Sequence, residues 1–501
     1  MNGFEQLMHG FLVAGTPINL LYCLIGVTVG TLIGVIPGVG PVTGIALLLP
    51  LTFGRDPVSA LIMLAGIYYG AMYGGAITSI LTNIPGDNPA VITALEGHQL
   101  AKKGRASLAM GVAAFSSFIA GTIGLVLLVL LAPIIAQVAI RFGPPEYFTL
   151  MLLSFTLVAA LSTNNLIKGL ITTVLGLLIS TVGIDVMSGE PRFTFGLIGL
   201  LDGIDFIIVA IGLFALSEVL ISMEKKAAPI PRLTNFRLRE MIPSRAEWKL
   251  CIGAILRGTG LGFVVGILPG AGASIATFLD YGMEKSISKH PEDFGTGVIE
   301  AVAGAESSNN AAADGAFVSL LTLGIPGSGS TAVLLGGFML LGIAPGPTLF
   351  TQHADVVWGL VASMYLGNVM LLVMNLPLVS AFVQVLRVPY PVLSLGIIIF
   401  SVLGVYSVGN NIFQLWLLVF FGVLGYILRK LDFPLAPLLL GVVLGKIMEK
   451  SFLQSLLISE GKWQIFVQRP ISLTLLIALA IVLVFQVLQV VRRSAHAGGK
   501  V

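Results

Sequence analysis

Charge is scarce in this chain of 501 residues: 10% are Asp, Glu, Lys or Arg, against 56% that are apolar. A water-facing surface normally needs about 25% charged residues, so a soluble globular domain is excluded. Cysteine is nearly absent as well. Cys23 and Cys251 lie in or beside apolar runs with no CxxC or Cys/His spacing, which argues against a disulfide framework or a structural metal site. No GxxxxGK[ST] phosphate loop occurs, so any ATP would have to be used by another subunit. The formal net charge of +3 is small and spread over loops, which points away from nucleic acid as a partner. The first residues, MNGFEQLMHG, lack a basic n-region and no small-residue cleavage pattern follows, so no removable signal peptide is expected.

What the chain does have is apolar runs long enough to cross a hydrocarbon core about 30 Å thick. Spans are expected near 12–36, 57–83, 106–140, 145–163, 165–183 and 197–223, then near 248–268, 297–325, 355–386, 389–408, 411–429, 434–448 and 471–491. The fold class is therefore an all-α polytopic membrane protein. Between the two groups lies EKKAAPIPRLTNFRLREMIPSRAEWK at 224–249, with seven basic residues against Glu224, Glu240 and Glu247. The positive-inside rule makes it a cytoplasmic linker.

An internal repeat organises the rest. GVTVGTLIGVIPGVG at 26–40 aligns with GTGLGFVVGILPGAG at 258–272, an offset of 258 − 26 = 232. SILTNIPGDNPA at 79–90 aligns with LLTLGIPGSGST at 320–331, with 326 − 85 = 241. The expected domains are a first membrane repeat at 1–223, the linker at 224–249, a second repeat at 250–450, and an extra span with a cytoplasmic tail at 451–501. No Lys or Arg precedes Arg55, whereas Arg492, Arg493 and Lys500 crowd the end. An outside start and an inside linker need an odd number of crossings in the first half, and odd halves are inverted halves.

In both repeats the apolar pattern is interrupted at Pro-Gly and then resumes. A broken helix survives at membrane depth only where protein or a water-filled cavity satisfies its backbone. The GxxxGxxxG spacing lets a second backbone approach closely; packing alone would account for those glycines. The loops NIPGDNP and GIPGSGST present N–H groups and the positive end of a helix dipole, with Asn88 or Ser328 or Ser330 as the cap, and surface turns are the alternative. Carbonyls freed at the same breaks suit a hard cation such as Na⁺.

The run GVIEAVAGAESSNNAAADGAFVSLLTLGIPG places Glu300, Glu306, Ser307, Ser308, Asn309, Asn310 and Asp314 in one span. Each acid at the bilayer centre costs about 2.5 kcal/mol or more, so this face must meet a cavity or a partner. Asn amides donate to carboxylates and accept from cations without adding charge; an interhelical hydrogen-bond cluster is the other reading. The substrate contacts expected are Asn83, Gly86, Asp87, Asn88, Ser307, Asn309, Asn310, Gly327, Ser328, Ser330 and Thr331. The cation contacts expected are Gly38, Gly40, Gly270, Gly272 and Asp314, with Na⁺ at freed carbonyls. Tyr68 and Tyr69 fall opposite Asn309 and Asn310 by the 241 offset, and Lys102, Lys103 and Arg105 form a basic cluster readable as a juxtamembrane loop.

GVIPGVGPVTGIALLLPLTF, YGGAITSILTNIPGD, GHQLAKKGRA, ESSNNAAADGA, LTLGIPGSGSTAVLLGG and GIAPGPTLF together resemble the large membrane subunit of the tripartite tricarboxylate transporters, TctA, over nearly the whole chain. The resemblance implies a secondary transporter of the bacterial inner membrane, coupled to Na⁺ or H⁺ and needing no organic cofactor. It implies a small four-span subunit of the TctB type and a periplasmic solute-binding protein of the TctC type as partners, and a carboxylate as substrate. Asp87–Asn88 stands where many relatives carry Thr-Pro, and His98 where Tyr is common, so the choice of carboxylate is open. A passive organic-anion channel and an intramembrane enzyme built on Ser328, Ser330 and His353 are the competing readings.

Overall fold

The computed structural model describes residues 3–161, 166–185, 188–224 and 238–497. Among them, nine helices are long and apolar enough to cross a membrane. The protein is a multi-pass, all-helical membrane protein, as its composition requires.

The first segment runs α1 (Gly3–Ala14), α2 (Pro17–Val35), α3 (Pro41–Leu48), α4 (Pro57–Thr82), α5 (Val91–Lys102), α6 (Ala106–Ala139), α7 (Pro144–Leu161) and α8 (Leu166–Ser180). A short hairpin, β1 (Gly183–Ile184) with β2 (Pro191–Arg192), precedes α9, Phe206–Glu224. Then follow α10 (Arg245–Ile267), α11 (Gly272–Ile287), α12 (Ile299–Leu323), α13 (Gly329–Leu340), α14 (Ala354–Gln384), α15 (Tyr390–Gly409), α16 (Ile412–Lys430), α17 (Leu435–Ile458) and α18 (Pro470–Ala497). Every span expected from hydropathy has a helix with nearby limits, except that α9 begins at 206 rather than 197 and α17 runs to 458 rather than 448. The extension of α17 mixes polar and apolar residues, and Arg192 holds it by donating to both oxygens of Glu449 at 2.6 and 3.1 Å.

Helix starts follow local chemistry. Pro lies in the first turn of α2, α3 and α4, where its missing N–H costs nothing. Asp56 caps α4 by accepting from Ser59 N, and Ser244 with Glu247 forms a full capping box on α10. The helix α10 thus begins inside the basic linker; residues 225–237 of that linker lie outside the described residues. Arg105 pairs with Glu247 while Lys102 and Lys103 are exposed, as a juxtamembrane loop demands.

By proximity the chain divides into two units, 1–136 with 207–427, and 137–206 with 428–501. This division cuts across the sequence halves. In the second unit α8 packs on α17 through glycine: a Cβ at Gly176 would lie 2.1 Å from Leu438 O, and one at Gly441 2.7 Å from Thr173 O. Glu146 and Arg469 pair there at 3.4 Å.

The first unit is organised by two helix pairs. Cβ atoms added at Gly26, Gly30 and Gly34 of α2 would meet the carbonyl oxygens of Met63, Ile67 and Ala71 of α4 at 2.2–2.4 Å. At Gly258, Gly262 and Gly266 of α10 they would meet those of Gly304, Ser308 and Ala312 of α12 at 2.2–2.7 Å. Contacts that ascend together on both helices mean that each pair runs parallel. In each pair only hydrogen side chains let the backbones touch.

Candidate functional site

The parallel pairing brings the interruptions of each segment side by side. Gly38 N donates to Gly86 O at 3.3 Å, and Gly270 N to Gly327 O at 3.0 Å. Gly38 (φ 83°) and Gly270 (φ 77°) adopt left-handed backbone that other residues rarely tolerate. The helices α4 and α12 both end on a left-handed residue, Asn83 (φ 58°) and Gly324 (φ 68°), after which the chain turns into the break.

The two breaks differ in chemistry. At the first, a Cβ on Gly38 would lie 2.6 Å from Glu218 Oε1, and one on Gly40 would touch Asp87 Cβ at 3.4 Å. Asp87 Oδ1 accepts from Ala90 N at 3.3 Å, while Oδ2 is buried without a hydrogen-bond partner. This corrects the expected cap: α5 starts after Ala90 with no side-chain cap, and Asp87 rather than Asn88 holds the turn that leads into it by accepting from Ala90 N. Asn88 and Asn83 are both exposed. Glu218 is not among the residues that the sequence singles out. Its only signal there is an acid near the end of an apolar run.

At the second break the groups are neutral. Ser328 caps α13 in a box with Thr331: Thr331 N donates to Ser328 Oγ at 3.3 Å, and Ser328 N to Thr331 Oγ1 at 2.9 Å. Ser330 is buried and is not the cap. A Cβ on Gly272 would lie 3.5 Å from Ser328 Cβ. Tyr68 reaches across from α4, its hydroxyl 3.4 Å from Ser328 Oγ and its ring against Phe317 of α12. The hydroxyl of Ser328 is thus engaged with Thr331 and Tyr68 rather than with a histidine. Replacing Ser328 and Thr331 by Ala should cost about 0.5–2 kcal/mol per lost cap, read as an earlier melt of the purified protein.

The polar run on α12 resolves into separate faces. Ser307 Oγ donates to Ser116 O at 3.5 Å, and Asn310 Nδ2 to Glu306 O at 3.0 Å. Glu306 in turn accepts from the hydroxyls of Thr93 and Ser117. Asp314 lies against Gly124 of α6, with both oxygens unpaired. Asn309 is buried with neither amide atom bonded. Seven residues on, two helical turns, Ala316 touches Gly327, so Asn309 shares the helix face that looks toward the second break. By the 241 offset Asn309 answers to Tyr68 and Asp87 to Ser328 (309 − 68 and 328 − 87). Tyr68 and Ser328 meet through their hydroxyls, whereas their counterparts Asn309 and Asp87 Oδ2 are both left open.

The segments also exchange helices. The carboxylate of Glu96 on α5, wholly buried, caps α12: it accepts from Gly295 N, from Gly297 N at 2.8 Å, from Val298 N at 2.9 Å and from Tyr281 Oη at 2.8 Å. Thr93 lies at Glu306 and Leu100 at Gly297, so α5 runs antiparallel to α12. Tyr68 lies at Ser328 and Leu64 at Gly337, so α13 runs antiparallel to α4.

No solved structure matches this chain. An uncharacterized 52.8 kDa protein in the TAR-I ttuC' 3' region of Agrobacterium vitis is 43% identical over 479 residues, 95% of this chain and 94% of its own length. An uncharacterized protein in the TAR-II ttuC' 3' region of the same organism is 45% identical over 215 residues, 43% of this chain and 89% of its own. The family model described as the tripartite tricarboxylate transporter TctA family matches residues 20–440. With that match covering most of the spans and both pairs of breaks, the chain belongs to the TctA family of tripartite tricarboxylate transporters.

Proposed function

We propose that the protein is the large membrane subunit of a binding-protein-dependent secondary transporter that takes up a carboxylate across the bacterial inner membrane, driven by a Na⁺ or H⁺ gradient. Its partners in this reading are a small four-span subunit and a periplasmic solute-binding protein. The observation that carries it is the open amide of Asn309, buried on the face that looks toward a neutral break. Substrate carboxylate oxygens take the Asn309 N–H groups, the first N–H groups of α13 and the hydroxyl of Ser330 or Thr331. The cation belongs at the acidic break, where Asp87 and Glu218 stand at the 38–40 turn beside freed carbonyls. An anion and a cation then occupy unlike breaks, each supplied by one segment. The crossed, antiparallel packing of α5 on α12 and α13 on α4 supports inverted halves that exchange access by moving against each other.

Uptake of radiolabelled citrate and other carboxylates into right-side-out vesicles holding all three components tests this. Wild type should concentrate its substrate only under an imposed Na⁺ or H⁺ gradient, and Asn309→Ala should lose uptake by at least about 100-fold while inserting normally. Uptake that ignores both gradients would instead make the protein a passive channel.

A further inference from the structure

Beside its glycine seam the second segment carries three charged residues at positions where the first carries none. Asp280 of α11 is wholly buried, and neither of its oxygens has a hydrogen-bond partner. It is lodged between the glycine faces of two helices: a Cβ on Gly304 would lie 2.4 Å from Oδ2, and one on Gly258 3.1 Å from Oδ1. One turn further along α11, Glu284 is also buried, and Arg257 of α10 donates to its two oxygens through Nε and Nη2 at 2.7 Å each. The third guanidinium nitrogen, Nη1, takes no part in that pair. The Arg257 side chain is 45% exposed, midway along an apolar helix.

The first segment builds the same packing without charge. The 232 offset places Arg257, Asp280 and Glu284 on Ile25, Leu48 and Thr52, and the 241 offset places Gly304 on Met63. Buried ions are commonly replaceable by apolar groups without loss of stability, so the fold does not require this cluster. An ionised carboxylate with no partner is too costly to keep in such a place and is neutralised instead. Na⁺ would want about six oxygen ligands, and no group of three His, Cys, Asp or Glu side chains exists among the described residues. A proton needs one oxygen.

We propose that Asp280 is a proton-carrying site, loaded while Arg257 is bidentate on Glu284 and unloaded when the guanidinium is shared between Glu284 and the bare Asp280 carboxylate. The proton leaves Asp280 for solvent, and the charge left behind is met by the Arg257 guanidinium, which then divides its N–H groups between Asp280 and Glu284. Because α11 follows directly on the Gly270 break, the change is delivered to the proposed substrate site. Of the other ionisable groups around α11, Lys285 is exposed and Glu300 is half-buried. Glu96 of α5 is filled by its four donors, Tyr281 is one of them, Glu292 and Asp293 are exposed, and Glu300 of α12 lies one turn before Gly304. The coupling role rests on the transport reading; the proton occupancy does not.

The full chain in membranes is treated with N,N′-dicyclohexylcarbodiimide, which attacks protonated carboxyls in apolar surroundings, and mapped by peptide mass spectrometry. Asp280 should carry the adduct, less of it as the pH is raised, and Asp280→Asn should carry none at that peptide. In vesicles with all three components, Asp280→Asn, which keeps the shape of the neutral acid, should retain citrate exchange and lose the stimulation of uptake by an acid-outside gradient. An Asp280 that stays unlabelled at every pH while other carboxyls react overturns the proposal, as does unchanged stimulation in the variant. If wild-type vesicles move neither citrate nor any other carboxylate tested, the transport reading falls and the labelling alone decides the proton.

Discussion

Gly266→Leu should leave no folded protein in the membrane, and Gly266→Ala should already lower the melting temperature of the purified protein. A methyl at Gly266 would lie 2.2 Å from Ala312 O and 2.7 Å from Ala312 Cα, both backbone atoms that no rotamer change can move. The two helices would have to separate along their whole glycine seam, and overpacking of this kind typically costs about 1–3 kcal/mol even where side chains can yield. Gly260, on the same helix, has nothing within 4 Å of its added Cβ. Gly260→Ala should therefore act in the opposite sense, with a gain of up to about 1 kcal/mol from helix propensity. Thermal melts of the three variants followed by size-exclusion profiles in detergent decide it; equal melting of the two alanine variants would mean that α10 and α12 do not touch.

Glu96→Ala should be comparably severe, for an electrostatic reason. Its carboxylate accepts four hydrogen bonds, three from the N–H groups that precede α12 and one from Tyr281. Removing it strands those donors in a buried place at about 1–3 kcal/mol each, and takes a negative charge away from the positive end of a 25-residue helix. Glu96→Gln retains one acceptor oxygen and should recover part of the loss. Cell-surface yield and melting temperature should fall in the order wild type, Gln, Ala. A Gln variant as damaged as Ala would show that the charge, rather than the acceptor count, dominates.

The apolar runs were legible because lipid demands them: all thirteen expected runs are helical, and nine of those helices are long and apolar enough to cross a membrane. The breaks were legible because Pro and Gly in the middle of such a run cannot continue a regular helix, and irregular backbone at membrane depth has to be sheltered by protein or water. Their partnership was not. Nothing in the sequence says that Gly38 bonds Gly86, or Gly270 bonds Gly327, because strand-like local pairing rules have no counterpart for interrupted helices. The cap on α12 was hidden for a similar reason: Glu96 and Val298 are 202 residues apart, and helix-start patterns look only a few residues back. Within the ESSNN run, sequence offered several equivalent polar groups. Packing separates them by giving Ser307 and Asn310 protein partners and leaving Asn309 with none.

The bonds that tie Gly38 to Gly86 and Gly270 to Gly327 restrict how such a machine can work. A hinge at one interruption alone would tear its neighbour, so neither can flex by itself. Each coupled pair of turns must travel as a single block with the glycine-seamed helices beneath it. In the transport cycle proposed above, opening and closing would then favour a sliding of two stiff blocks over the bending of a single turn.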